Sequence, residues 1–340
     1  MNKKSVKIII ICAAIAAVIA ACAVFGVKIK NDINGSEKGT PTEYTLVIES
    51  KDYQYEVSKM LADNGIVVDD SIWSAWMDKH YPDFTYINGE YYMKSNMSYE
   101  EIAQKLQNPD ISHKVVSVAI PEGYNVFDIA KTLEENQICS AKDFYAAVST
   151  TEGYDYDWLA DFPSDRSHLE GFLFPATYDF SMNSDAKVIV DKMLAAFDDR
   201  LSDKVTAYCK ENNMSLYQFI TLCSIVQEEA LSDDSAANIA SVLINRLNKG
   251  SKLQCDVTYF YAKKLLDYGF SKETYDSYYT YRCPALPSGP ITNSGMSIVN
   301  AVINHPDTNY LYFFSDLQGG FHFAATGQEF EQLKQKYPWK

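Results

Sequence analysis

Two adjacent carboxylates close the stretch Ser215 to Ala230 (SLYQFITLCSIVQEEA), and their type and spacing suit proton transfer. At about 100° per residue, Leu222, Ile225, Val226 and Glu229 fall on one apolar stripe of a helix, and Tyr217, Thr221, Ser224 and Glu228 on a polar one. The spacing therefore predicts a solvated Glu228 and a Glu229 drawn to the apolar side. There desolvation, the negative helix end and the neighbouring carboxylate all raise a carboxyl pKa. A carboxyl kept protonated near neutrality is what a general acid requires. On the helix alone the plainer reading stays open, a helix-end residue that pairs with Arg246 or reaches water.

Other chemistries find less support. His80, His113, His168, His305 and His322 form no H-E-x-x-H or close His/Asp cluster, and the 7 cysteines are widely spaced with no C-x-x-C. No metal, cofactor or disulfide framework is expected. The 45 Asp+Glu against 30 Lys+Arg give a net charge of -15, which repels phosphate backbones, so nucleic acid is not an expected partner. The 25 Tyr, 17 Phe and 4 Trp supply many rings, suited to sheet surfaces and carbohydrate-facing grooves alike.

The elements around the carboxylate pair are legible. Ser215 is a good N-cap for its helix. Upstream, Leu169 to Tyr178 reads as an apolar, aromatic strand carrying one carboxylate, Glu170, and Asp185 to Phe197 as a helix with Val188, Ile189, Met193 and Phe197 on one face. Nearer the N-terminus, Tyr44 to Ile48 alternates like a strand, and Tyr55 to Asn64 has the helical spacing of Val57, Met60 and Leu61. That phrase recurs 72 residues on: Ile48, Lys59, Leu61, Asn64 and Ile66 match Ile120, Lys131, Leu133, Asn136 and Ile138. A shorter echo is MSYEEIAQKL, Met97 to Leu106, where Ser98 and Glu101 can form a capping box.

Ile8 to Val27 is an uncharged run preceded by Lys3, Lys4 and Lys7, and its 20 residues match the thickness of a bilayer. The expected organisation is a cytoplasmic tail (1–7), a transmembrane helix (8–27), a flexible linker (28–43), and an extracytoplasmic body. A lipidated Cys22 or a cleaved signal peptide is the alternative to an uncut anchor, and each also exports the body.

Read onward from Ser224, the succession SIVQEEA, IASVLINRLNKGSKLQCDVTYFY, YYTYRCPALPSGPITNSGMSIVNAVINHP and NYLYFFSDLQGGFHF closely resembles the YceG-like family of membrane-anchored endolytic peptidoglycan transglycosylases. The repeated strand–helix phrase resembles the LysM-like module. The resemblance implies an α+β fold: a LysM-like module over 44–112, then a YceG-like catalytic domain over 113–340 with a second LysM-like repeat at 115–148. Small βα units would precede a larger domain of helices around a mostly antiparallel sheet, with boundaries near 112 and 168.

The resemblance also implies roles residue by residue. The family's helix ends approximately S-I-V-E-K-E, and its last Glu, the catalytic one, falls on Glu229, while its first is Gln227 here. Asn245 and Arg246 match I-N-R-L. Gln254 and Asp256 match Q-x-D-P-T, although Val257 replaces the Pro. Tyr278 and Tyr281 keep the outer residues of Y-N-T-Y without its Asn, and His322 matches G-G-x-H-x-F. With Glu170, these would bind substrate. Glu229 would protonate the oxygen between N-acetylmuramic acid and N-acetylglucosamine, then act as base on the muramyl C6 hydroxyl, leaving a 1,6-anhydromuramyl end. Partners implied are peptidoglycan glycan strands, the membrane and peptidoglycan synthases, with a role in setting strand length. Two other readings stay open: a muramidase that uses Asp256 or Glu170 to activate water, and a noncatalytic cell-wall-binding scaffold.

Overall fold

The computed structural model describes residues 3–35, 41–49, 54–164 and 168–339, except for the side chains of 3–13 and 233. The expected tail's first two residues, linker residues 36–40 and the Cys12 side chain lie outside the described residues. Contacts divide the chain into two compact units, 1–115 with 181–183, and 116–180 with 184–340.

The first unit begins with α1 (Lys3–Ile33), followed by β1 (Glu43–Ile48), α2 (Gln54–Asp63), α3 (Asp70–His80), β2 (Gly89–Lys94), α4 (Tyr99–Lys105) and β3 (Ile111–Ser112). From Ala14 to Ile33, α1 is long and apolar enough to cross a membrane, a property it shares with signal sequences, and its described apolar side chains such as Ile19 and Val24 are exposed. The linker expected from Lys28 is helical as far as Ile33. Asp32 explains this: its carboxylate is buried and accepts from the Val68 N–H (2.9 Å) and the Tyr99 hydroxyl (2.6 Å), which ties the helix end to this unit. β1 and β2 pair antiparallel, with Leu46 and Ile48 turned inward onto Val57 and Leu61 of α2 and Trp73 of α3. The Ser98–Glu101 capping box starts α4.

β4 (Val115–Ala119), whose first residue closes the first unit, leads into the second, followed by α5 (Val126–Glu135) and α6 (Ala141–Val148). β4 and α5 start 72 residues after β1 and α2, and the second unit buries Ile120, Ile129, Leu133 and Ile138 where the first buries Ile48, Val57, Leu61 and Ile66. The repeated sequence phrase is thus a repeated packing unit. β4 pairs with β5 (Thr177–Ser181). Leu169 to Ala176 is not the expected strand: Leu169, Glu170, Phe172 and Leu173 are all buried, and Gly171 turns the chain at φ +89. Consecutive buried side chains do not fit a strand's alternation, and a Cβ on Gly171 would lie 2.5 Å from Pro290.

Seven helices follow: α7 (Ala186–Asp198), α8 (Asp203–Glu211), α9 (Leu216–Glu229), α10 (Asp233–Asn248), α11 (Asp256–Asp267), α12 (Lys272–Tyr278) and α13 (Met296–Ile303). On α7 the inward face is Ile189, Val190, Met193, Leu194 and Phe197, and Val188, expected there, is exposed. The hairpin β6 (Tyr312–Ser315) and β7 (Phe321–Ala324) and the helix α14 (Gly327–Lys336) complete the chain. The expected single antiparallel sheet is replaced by two separate two-stranded ladders, β4–β5 and β6–β7. One core runs from Val118 through Leu169 and α9 to Val302, so no boundary falls at 168. α9 lies within it and is buried from Leu216 to Val226 apart from Gln218, Thr221 and Ser224 included, so only the Glu228 end of its polar stripe faces solvent. Those hydroxyls are satisfied locally: Thr221 donates to the Tyr217 carbonyl and Ser224 to the Thr221 carbonyl, while the Ser224 oxygen accepts from the Ile291 N–H.

Candidate active site

Ser215 and Gln218 form a capping box at the start of α9, and the buried body of the helix fixes where its last turn emerges. Glu229 is the final helical residue and is half-buried, whereas Glu228 is exposed. Burial is the main cause that pushes the Glu229 carboxyl up to about 7. The charges of Asp256 and Glu228 add to it, and a hydrogen bond from the Cys255 thiol and the charge of Arg246 oppose it. Asymmetry within the pair therefore comes from depth. Desolvation also raises Glu228, with the Asp128 charge adding to it.

Asp256 opens α11, immediately after the buried Cys255. Its Oδ1 accepts from the Tyr281 hydroxyl at 2.9 Å. Thr280 holds the two segments together: fully buried, its Oγ1 accepts from the Cys255 N–H (2.9 Å) and lies 2.9 Å from Thr258 Oγ1, and its carbonyl accepts from the Gln254 N–H (3.4 Å). Gln254 itself is exposed, with a left-handed backbone at φ +53. Arg246, on α10, donates Nε to the Leu311 carbonyl and Nη1 to the Leu253 carbonyl, both at 2.6 Å. It braces the 252–253 loop while its charge reaches Glu229. Asn245 donates its amide to the carbonyls of Thr308 (2.8 Å) and Tyr310 (3.0 Å).

Glu229, Asp256, Tyr281 and Arg246 thus act on one another at the end of α9, with Gln254 on the adjoining loop. The remaining residues singled out from sequence sit elsewhere. Tyr278 is half-buried, its ring 5.3 Å from that of Tyr261 and its hydroxyl against Gly289, where an added Cβ would lie 2.9 Å from it. Glu170 is only 1% exposed and accepts from the Val126 N–H, the Tyr261 hydroxyl and the Asn293 amide, each at 3.0 Å. Burial is the main cause that pushes its carboxyl up to about 8. His322 Nε2 lies 2.7 Å from Asp316 Oδ2, and its ring stacks on Tyr337 at 3.8 Å, which staples the β6–β7 hairpin.

Two features escaped the sequence reading. Cys255 beside Glu229 carries no motif signal of its own. A cavity of about 190 Å³ adjoins Glu228 and is lined by Asn125, Val257, Phe260, Tyr261, Lys264 and Ile291. A larger hollow of about 370 Å³ lies at Tyr217, Thr221, Pro287 and Ser288. It flanks the other half of α9, on the order of 12–18 Å from Glu229 at about 1.5 Å per residue, so volume does not mark the chemistry.

The sequence profile of the YceG-like family matches residues 46–336. A Bacillus subtilis (strain 168) protein named endolytic murein transglycosylase is 29% identical over 318 residues, which cover 88% of this chain and 86% of that one. A protein of the same name from Streptococcus pneumoniae serotype 2 (strain D39) is 27% identical over 303 residues, 81% of this chain, which spans about half (54%) of the streptococcal protein. A crystal structure of a yceG-like protein from Listeria monocytogenes aligns with a TM-score of 0.53 and 29% identity, covering 87% of this chain and 100% of that one.

Proposed function

The chain belongs to the YceG-like family, and from that premise we propose that it is a murein lytic transglycosylase in which Glu229 carries the proton. The observation that supports this most is the half-buried carboxyl at the end of α9, raised to about 7 within the matched region. Glu229 in its acid form protonates the glycosidic oxygen between N-acetylmuramic acid and N-acetylglucosamine, and the C1–O bond breaks. The resulting carboxylate takes the proton of the muramyl C6 hydroxyl as that oxygen bonds to C1. The product is a 1,6-anhydromuramyl end, no water is consumed, and Glu229 is again protonated. Because the nucleophile belongs to the sugar being cleaved, one carboxyl suffices where glycoside hydrolysis uses two.

The charge that develops at C1 needs nearby negative and polar groups, and Asp256 with Tyr281 and Gln254 are the candidates. A muramidase would need a second carboxylate poised to activate water. Asp256 is engaged by Tyr281, and Glu170 is sealed beneath three donors, which favours the transglycosylase. In this reading α1 anchors the enzyme with its N-terminus inside, the body acts outside on nascent strands near their synthases, and cleavage sets strand length. The two strand–helix repeats are LysM-like units that hold glycan.

Mass spectrometry of uncross-linked glycan strands treated with the full chain in detergent tests the proposal. Internal fragments ending in anhydromuramic acid, absent with Glu229→Gln, are expected. Reducing ends instead would indicate a hydrolase, and no cleavage by either folded protein would leave the scaffold reading.

A further inference from the structure

The cavity of about 190 Å³ beside Glu228 has the composition of a saccharide site and a fixed position relative to Glu229. Glu228 precedes Glu229 on α9. On α11, Val257 follows Asp256, and Phe260 stands four residues from it, one helical turn along the same face. The Phe260 ring is 65% exposed, and Tyr259 braces it edge-on with centroids 5.5 Å apart. An exposed phenylalanine is common by itself. This one lines a cavity that also offers a carboxyl, an amide and apolar walls from Val257, Ile291 and the Tyr261 ring. An exposed ring face with a few hydrogen-bonding groups around it suits the apolar face of a sugar.

The charges decide which sugar. Lys264 is the cavity's cation, and it is already neutralised, with Nζ 2.6 Å from Asp128 Oδ1 and 3.2 Å from Asn125 Oδ1. Asn125 Oδ1 also accepts from the Phe127 and Asp128 N–H groups, so its amide nitrogen is the group left for a ligand. Glu228 then leaves the lining without excess positive charge, an unfavourable setting for a ring bearing an acidic lactyl or peptidyl substituent. In the alternating polymer, the rings on either side of a cleaved muramyl residue are the neutral ones.

We infer that this cavity is a sugar subsite built on Phe260 that takes a neutral N-acetylhexosamine, the N-acetylglucosamine next to the muramyl ring held at Glu229. The inference rests on the transglycosylase reading for its place in the reaction, but the binding it claims is measurable without turnover.

The probe is the neutral tetramer of N-acetylglucosamine, titrated calorimetrically into the full chain carrying Glu229→Gln, with and without Phe260→Ala. Because the Phe260 ring is mostly in solvent, its removal leaves the fold intact, and Phe260→Trp serves as the conservative control. Binding is expected to weaken about tenfold with Phe260→Ala, the scale of one lost ring contact, and to be kept with Phe260→Trp. With an active Glu229, the same loss appears in KM for glycan strands. Equal affinity with and without the ring, no binding of the tetramer, or tighter binding of free N-acetylmuramic acid than of N-acetylglucosamine overturns the subsite. Failure of the wild-type chain to cleave strands that it binds overturns the transglycosylase reading instead.

Discussion

Tyr281 donates its hydroxyl hydrogen to Asp256 Oδ1 at 2.9 Å, so the carboxylate whose charge reaches Glu229 from α11 is held in place. That charge raises the Glu229 carboxyl. Removing it with Asp256→Asn should lower the pKa that governs cleavage, moving the alkaline limb of kcat/KM to lower pH by roughly half a unit to one unit. Tyr281→Phe should leave Asp256 charged and shift the limb less. A pH profile with the limb unmoved in Asp256→Asn would show that the two carboxyls do not interact.

The pH dependence expected of the wild-type chain follows from the proton that the proposed mechanism places on Glu229. With burial pushing it up to about 7, kcat/KM should fall as pH rises through that value, because the acid form is lost. Stability is linked with the same sign. The folded-state value stands above the 4.5 usual for the unfolded chain, so the folded state binds more protons in between. The stabilisation is complete below about 4.5 and is lost as pH rises through about 7. Glu229→Gln, which cannot ionise, should abolish cleavage while raising the melting temperature at pH 8 by roughly a few degrees. A variant less stable than wild type at pH 8 would contradict this account.

Glu170 presents a different case. Replacing it with Ala would strip the buried Val126 N–H, Tyr261 hydroxyl and Asn293 amide of their common acceptor. The expected cost is on the order of 3–5 kcal/mol in urea unfolding. Lost activity in a variant of wild-type stability would instead make Glu170 part of the chemistry.

Arg246 reaches three carbonyls from two sides of its guanidinium, those of Leu311, Leu253 and Lys252. Lysine has the charge but not the planar fork. Arg246→Lys should therefore destabilise by about 1–3 kcal/mol, visible in the urea midpoint, and should weaken cleavage through the loosened 252–256 loop. Unchanged stability would show that the carbonyl contacts are dispensable.

Local pattern alone determined a good deal of this protein. The period of the apolar residues placed α2, α7 and α9, and Ser98 and Ser215 announced helix starts because a cap is a contact within four residues. The 72-residue repeat foretold two matching βα units because each must bury the same side chains. Helical periodicity also distinguished Glu229 from Glu228, since 100° of helix separates neighbours in depth. Tertiary structure decided what depends on residues far apart in sequence. Asp32 extends α1 beyond the apolar run through partners 36 and 67 residues away. Glu170 belongs to a buried node rather than an open strand, because donors 44, 91 and 123 residues distant converge on it. Thr221 and Ser224 on the polar stripe of α9 are interior, their hydroxyls bonded to the helix's own carbonyls, which no hydropathy pattern encodes. The cavity at Phe260 needs α5, α9 and α11 brought together, and only the packed chain contains it.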